Sequence, residues 1–249
     1  MKRFCYVPNK IIEKGKLYVY FYIMTYYKPY LDGFVRTDKK DPEDNTKRDN
    51  MTITLHYDFD SYYLGSINNK KRYKKDYIAF VKDVYGVNYK KDKLHYVVEK
   101  EVLKKYNIGI KSKRYAVVYY DEFEKIMNMS TRYRLNSLYF LCVYRVNMKR
   151  RSWNNEKTDR YANYYKCLYK DFYDSYGFGY KSIKSVIDAL NKANIIYAVR
   201  EGENITVFNE AKNKSYNRQF LYITDYKDDK SHITEIMKAV RLEEENSKE

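Results

Sequence analysis

Apolar residues along the chain fall into helical spacing in some stretches and into short β-branched or aromatic runs in others. Residues 11–27 (IIEKGKLYVYFYIMTYY) are apolar and aromatic over several turns and are closed by Lys28-Pro29, which predicts a long helix. Phe34-Val35 reads as a short strand, and residues 39–50 (KKDPEDNTKRDN), with no apolar residue, as an exposed loop. Residues 52–64 (TITLHYDFDSYYL) read as a helix with Thr52 or Thr54 as N-cap and Gly65 as its stop. In residues 69–84, Tyr73, Tyr77, Phe80, Val81 and Val84 keep a spacing of three or four, so this segment is an amphipathic helix ended by Gly86. Residues 94–98 and 115–120 are strands, and the basic, glycine-containing segment between them (residues 104–114, KKYNIGIKSKR) has the layout of a winged hairpin.

The order then begins again. Residues 120–127 predict a short linking helix and residues 130–148 (STRYRLNSLYFLCVYRVNM) a long one capped by Ser130 or Thr131. Residues 149–158 (KRRSWNNEKT) read as a polar loop and residues 161–176 as a helix stopped by Gly177. Residues 180–194 (YKSIKSVIDALNKAN) place Ile183, Val186, Ile187 and Leu190 on one helical face. Residues 195–200 and 204–208 read as strands around the turn Glu201-Gly202-Glu203. A further strand over 216–225, a terminal helix over 231–245 and a frayed acidic tail complete the chain.

The two halves match in element order and weakly in letters: VYFYIMTYY (residues 19–27) overlays LYFLCVYRV (138–146), and YLGSI (63–67) overlays SYGFG (175–179). Long apolar helix, middle helix, glycine turn, amphipathic helix and hairpin is the winged-helix order, in which the third helix enters the major groove. The expected fold is therefore helix-rich α+β, with winged-helix domains over residues 1–120 and 121–249, the latter carrying a C-terminal helix. The stretch GFGYKSIKSVIDALNKANIIYAVREGENITVF resembles the helix–wing portion of winged-helix regulators and replication proteins. The tandem layout as a whole resembles the plasmid and phage replication initiators of AT-rich Gram-positive bacteria. That resemblance implies binding to origin repeats and recruitment of host replication proteins.

Charge sharpens this picture. Lys and Arg number 49 against 33 Asp and Glu, a formal net charge of +16, so the surface attracts polyanions. No lipidation motif or amphipathic anchor points to a membrane. No N-terminal apolar run has the length of a signal peptide or membrane span, which predicts a cytoplasmic location. The 33 tyrosines read as AT-rich codon usage rather than as base-stacking platforms, because they scatter across predicted core faces. Cys5, Cys142 and Cys167 form no CxxC pair, and the latter two sit among apolar residues as buried thiols.

Enzymatic chemistry finds no foothold. The histidines are His56, His95 and His232, with no HxH or HExxH pair to hold a nickase metal. No phosphate-binding glycine loop occurs, and Asp58 and Asp60 in HYDFD do not share a helical face. Neither a cofactor nor a metal is expected.

The candidate DNA contacts are cations and small polar groups near helix starts and hairpins. In the first half these are Asn68, Asn69, Lys70, Lys71, Arg72, Lys74 and Lys75 at the start of the amphipathic helix, with Lys111, Lys113 and Arg114 on the wing. In the second half they are Tyr180, Lys181, Ser182, Lys184 and Ser185, with Arg200 and Asn204 on the hairpin. Lys149, Arg150 and Arg151, beside the lone Trp153, follow the long helix. The expected partner is double-stranded DNA. An initiator would engage direct repeats, often as a monomer, and a transcription regulator a palindrome as a homodimer. A phage- or plasmid-encoded inhibitor of a host nucleic-acid enzyme would use the same fold without reading sequence.

Overall fold

The computed structural model describes residues 4–31, 50–55, 67–90, 92–93, 95–108, 114–155, 158–168, 172, 175–201, 206–209, 214–217 and 220–225. Of these, backbone alone is described for 28–31, 50–52, 54, 67–72, 100, 131, 149–155, 158–163, 180–181, 201, 206–209 and 214–217. The chain is α+β, all of its described sheets are antiparallel, and it divides into two compact units, Met1–Val146 and Asn147–Glu249.

The first unit is built around α2 (Lys16–Leu31), a helix whose residues Val19 to Met24 are buried on every side. Such a helix has no wet face and must be enclosed by other elements. It follows β1 (Phe4–Pro8) and α1 (Asn9–Glu13), and Gly15, at φ 98°, lets the chain turn between the helices. Strand β1 pairs antiparallel with β4 (Tyr115–Tyr119), Phe4 opposite Tyr119 and Pro8 opposite Tyr115. Cys5, Val7, Ala116 and Val118 form the buried face of this ribbon. The Tyr27 hydroxyl of α2 donates to the carbonyl of Val118, which satisfies a polar group that burial would otherwise leave unpaired.

Helix α3 (Ile67–Tyr85) lays Tyr77, Phe80, Val81 and Val84 inward, and Phe21 of α2 meets Tyr77 and Phe80 at ring-centroid distances of 5.4 and 5.6 Å. Gly86 ends it at φ 68°, the left-handed conformation expected past a helix end. Strand β2 (Asn50–Thr54) pairs with β3 (His95–Glu99), burying Ile53, Tyr96 and Val98. Helices α4 (Lys100–Lys105), α5 (Tyr120–Met127) and α6 (Thr131–Asn147) complete this part of the chain. A buried ion pair locks α5 to α6: Arg145 donates to both carboxylate oxygens of Glu122 at 2.7 and 2.8 Å, and to the carbonyl of Val117. Glu122 also accepts the backbone N–H of Tyr119 at the start of α5.

In the second unit, β5 (Lys149–Asn155), β6 (Thr158–Leu168), β10 (Phe220–Asp225) and β7 (Ile196–Glu201) lie side by side in that order. Helix α7 (Tyr180–Lys192) packs on β7 through Ile183, Val186, Ile187 and Leu190. Asn194, at φ 54°, ends it, and Asn191 Oδ1 accepts the N–H of Ala198 to tie helix to strand. Strands β8 (Thr206–Asn209) and β9 (Lys214–Asn217) pair with each other.

Several sequence expectations are corrected here. Helix α2 runs past Lys28-Pro29 to Leu31. Residues 52–54 are strand instead of helix, because the T-I-T alternation supplies one buried side chain, Ile53, to the β2–β3 pair. The first wing does not form: β3 and β4 belong to different sheets, and α4 lies between them. The segment that reads as a winged hairpin opens instead on a helix end. Asn107 is left-handed at φ 57°, and the N–H of Ile108 returns to the carbonyl of Leu103.

Residues 149–155 are strand rather than loop, and residues 161–168 strand rather than helix. The cause lies in β10, where Leu221, Tyr222, Ile223 and Thr224 are all buried. A strand wrapped so completely needs a hydrogen-bonded neighbour on each edge, and β6 and β7 provide them. The same demand overturns the hairpin across Glu201-Gly202-Glu203, since β7 takes β10 and not β8 as its partner. The two compact units divide between Val146 and Asn147, with α5 and α6 assigned to the first. Phe34-Val35, residues 39–49, Gly65 and residues 231–245 lie outside the described residues.

The order strand, short helix, long helix, strand, amphipathic helix, strand nonetheless occurs twice, once from β1 and again from β4, with β5 as an extra strand in the second pass. VYFYIMTYY and LYFLCVYRV fall on the two long helices, α2 and α6.

Candidate nucleic-acid interface

Each amphipathic helix buries one seam and offers the other to solvent. On α3 the outward residues are Lys74, Lys75, Ile78, Ala79 and Lys82, all exposed, spaced so that they form one continuous strip. Asn68, Asn69, Lys70, Lys71 and Arg72 stand on its first turns, where the backbone is helical. No acidic residue occupies the first turn, so nothing on the helix offsets the partial positive charge of its N-terminal end.

On α7, Lys184 and Asp188 are exposed and Ser182 and Ser185 half-buried, while Tyr180 and Lys181 form the first turn. This first turn also lacks an acidic residue. Arg200 is exposed on β7, and Arg114 is exposed directly before β4. Lys149, Arg150 and Arg151 lie on β5, whose register sets Arg150 opposite Asn163 and Arg151 opposite Ala162. Lys111, Lys113 and Asn204 lie outside the described residues, as do His56 and His232.

Within the first unit the structure brings Lys74 and Lys75 into one strip but does not join them to a wing made of Arg114 and its neighbours, because β4 pairs away from β3. Within the second unit α7 leads directly into β7, which carries Arg200, but β7 pairs with β10 and not with β8, the partner that the sequence anticipates.

The sequence reading passes over a polar hub at the far end of α3. Asp83 accepts hydrogen bonds from Tyr106 at 2.7 Å and Lys105 at 3.0 Å, and lies 3.4 Å from both Lys14 and the Tyr18 hydroxyl. Partial burial on its own would raise the Asp83 carboxyl, but the hydrogen bonds from Tyr106, Lys105 and Lys14 outweigh it and hold the group down to about 2. Burial and the Asp83 carboxylate push both Tyr18 and Tyr106 upward, so these phenols stay protonated donors. The contacts join α2, α3 and α4 with the residue that follows α1, and tie the strip of lysines on α3 to the core. Only a three-dimensional contact list could have revealed them, since the partners lie far apart along the chain.

Burial pushes the Cys142 thiol up to about 12, which leaves it an unreactive apolar filler. Among the described residues no helix is long and apolar enough to cross a membrane. No protein-family model, curated protein or solved structure matches this chain.

Proposed function

We infer that the chain binds duplex DNA through its two amphipathic helices, α3 and α7, and that it acts as a replication initiator. The observation that carries this reading is the shared design of these helices. Each has a fully buried apolar seam, lysines on its exposed face and a first turn free of acidic residues. A helix held rigidly by its seam can present its outer face to a groove, and lysines there meet phosphates or guanine edges. The small serines Ser182 and Ser185 of α7 permit close approach to base edges. The β7–β10 pair after α7 takes the part of a wing resting on the flanking backbone. Initiation, rather than transcriptional control, follows the resemblance of the tandem layout to plasmid and phage initiators.

Selection from a random pool of duplex DNA tests the reading directly. Recovery of a defined motif is the expected result, and a pool that never converges removes sequence-specific binding. Footprinting on DNA containing that motif then separates the two biological roles. Iterated direct repeats accord with an initiator, whereas a single inverted repeat would move the assignment to a dimeric regulator.

A further inference from the structure

The outward face of the β1–β4 ribbon is aromatic where a solvent-facing strand is ordinarily polar. The register sets Phe4, Tyr6, Tyr115, Val117 and Tyr119 on this face, opposite the buried Cys5, Val7, Ala116 and Val118. Phe4 and Tyr6 are 37 and 38 % exposed, and Tyr115, Val117 and Tyr119 half-buried. Phe4 meets Tyr6 at 4.9 Å and Tyr6 meets Tyr115 at 4.8 Å, both edge to face, so the three rings form one continuous aromatic row. We propose that this ribbon is a second nucleic-acid site, one that binds single strands by stacking unpaired bases on Phe4, Tyr6 and Tyr115.

Charge decides the occupant. Neither strand carries an ionisable acid or base other than tyrosine and cysteine, yet Arg114 is exposed immediately before β4, and Lys2 and Arg3 precede β1 in sequence. A second copy of a chain with net charge +16 is repelled at long range, whereas a polyanion is drawn in. A duplex hides its base faces within the stack, so a row of aromatic rings favours the strand whose bases are free. The site is distinct from α3 and α7, and its chemistry does not depend on theirs.

Anisotropy of fluorescein-labelled oligo(dT) with the full chain provides the test. The parent and Tyr6→Phe, which keeps the ring, are expected to bind alike. Tyr6→Val keeps strand propensity but removes the ring, and its affinity for oligo(dT) should fall by roughly tenfold or more while duplex affinity is unchanged. Phe4→Leu, at the end of the ribbon where pairing is least demanding, should move in the same direction with an unaltered circular-dichroism spectrum. Equal binding of oligo(dT) by parent and Tyr6→Val would overturn the proposal. So would equal binding of an abasic oligomer by the parent, which would reduce the attraction to phosphates, or a parallel loss of duplex and single-strand affinity.

Discussion

Asp83 and the Glu122–Arg145 pair show how differently two carboxylates can be used within one unit. Asp83 remains partly wet, yet hydrogen bonds hold its carboxyl down to about 2, below the usual carboxylate range near 4. Its folded-state value is depressed, so its stabilisation is complete above the unfolded value and fades as pH falls from about 4 towards about 2. Asp83→Asn should destabilise the first unit by about 1–2 kcal/mol near neutral pH, solvent screening keeping the cost modest. Urea unfolding of parent and variant should show that gap closing in acid; a gap that persists at low pH would mean the carboxylate is not its source. Glu122 and Arg145 are only 4 and 5 % exposed, and removal of one partner leaves the other charge in a dry site. Glu122→Ala should therefore cost about 3–5 kcal/mol by the same measurement, several times the Asp83 effect.

Helix ends carry much of what the sequence states clearly about its elements. Gly86 stops α3 where expected, and its φ of 68° lies in the left-handed region that glycine adopts without the penalty of a Cβ. A Cβ at that position would also come within 3.3 Å of the Val102 side chain. Gly86→Ala should lower stability by about 1 kcal/mol or more, read as a shift of the urea midpoint without change in slope. Helices α3, α5, α6 and α7 were all legible, because their apolar residues recur at helical spacing over enough turns to exclude a strand. The misread elements share a cause: their conformation is imposed by partners distant in the chain. Strand β6 is rich in tyrosine, which suits a strand yet also fits a buried helix face, and only pairing with β10 resolves the choice. The β5–β6 hairpin stayed hidden because only Glu156 and Lys157 separate the paired Asn155 and Thr158, without a turn glycine. Asn107 and Asn194 adopt the same left-handed ending, a role that neither letter announces as clearly as a glycine does. The basic residues at the start of α3 were visible as letters; the hub at Asp83 was not, since Lys14, Tyr18, Lys105 and Tyr106 come from other helices.

Over the whole molecule, the duplex-binding proposal must be separated from the attraction that any chain of net charge +16 exerts on a polyanion. A diffuse field depends on how many charges are removed, whereas a contact surface depends on which ones. Lys74 and Lys75 are exposed on the outer strip of α3, and Lys104 and Lys125 are exposed on α4 and α5. Both pairs lie in the first unit and carry the same formal charge, so replacing either pair with alanine changes the net charge equally. If Lys74 and Lys75 each displace a counterion from a phosphate, their double alanine variant should flatten the log-log salt dependence of duplex binding by roughly 2, about one per lost contact. The Lys104→Ala and Lys125→Ala double variant should leave that slope intact and shift affinity only weakly at low salt, because screening confines its influence to about a Debye length of roughly 10 Å. Equal slopes for the two variants would show that charge alone attracts DNA, and α3 would then lose its place as the docking surface.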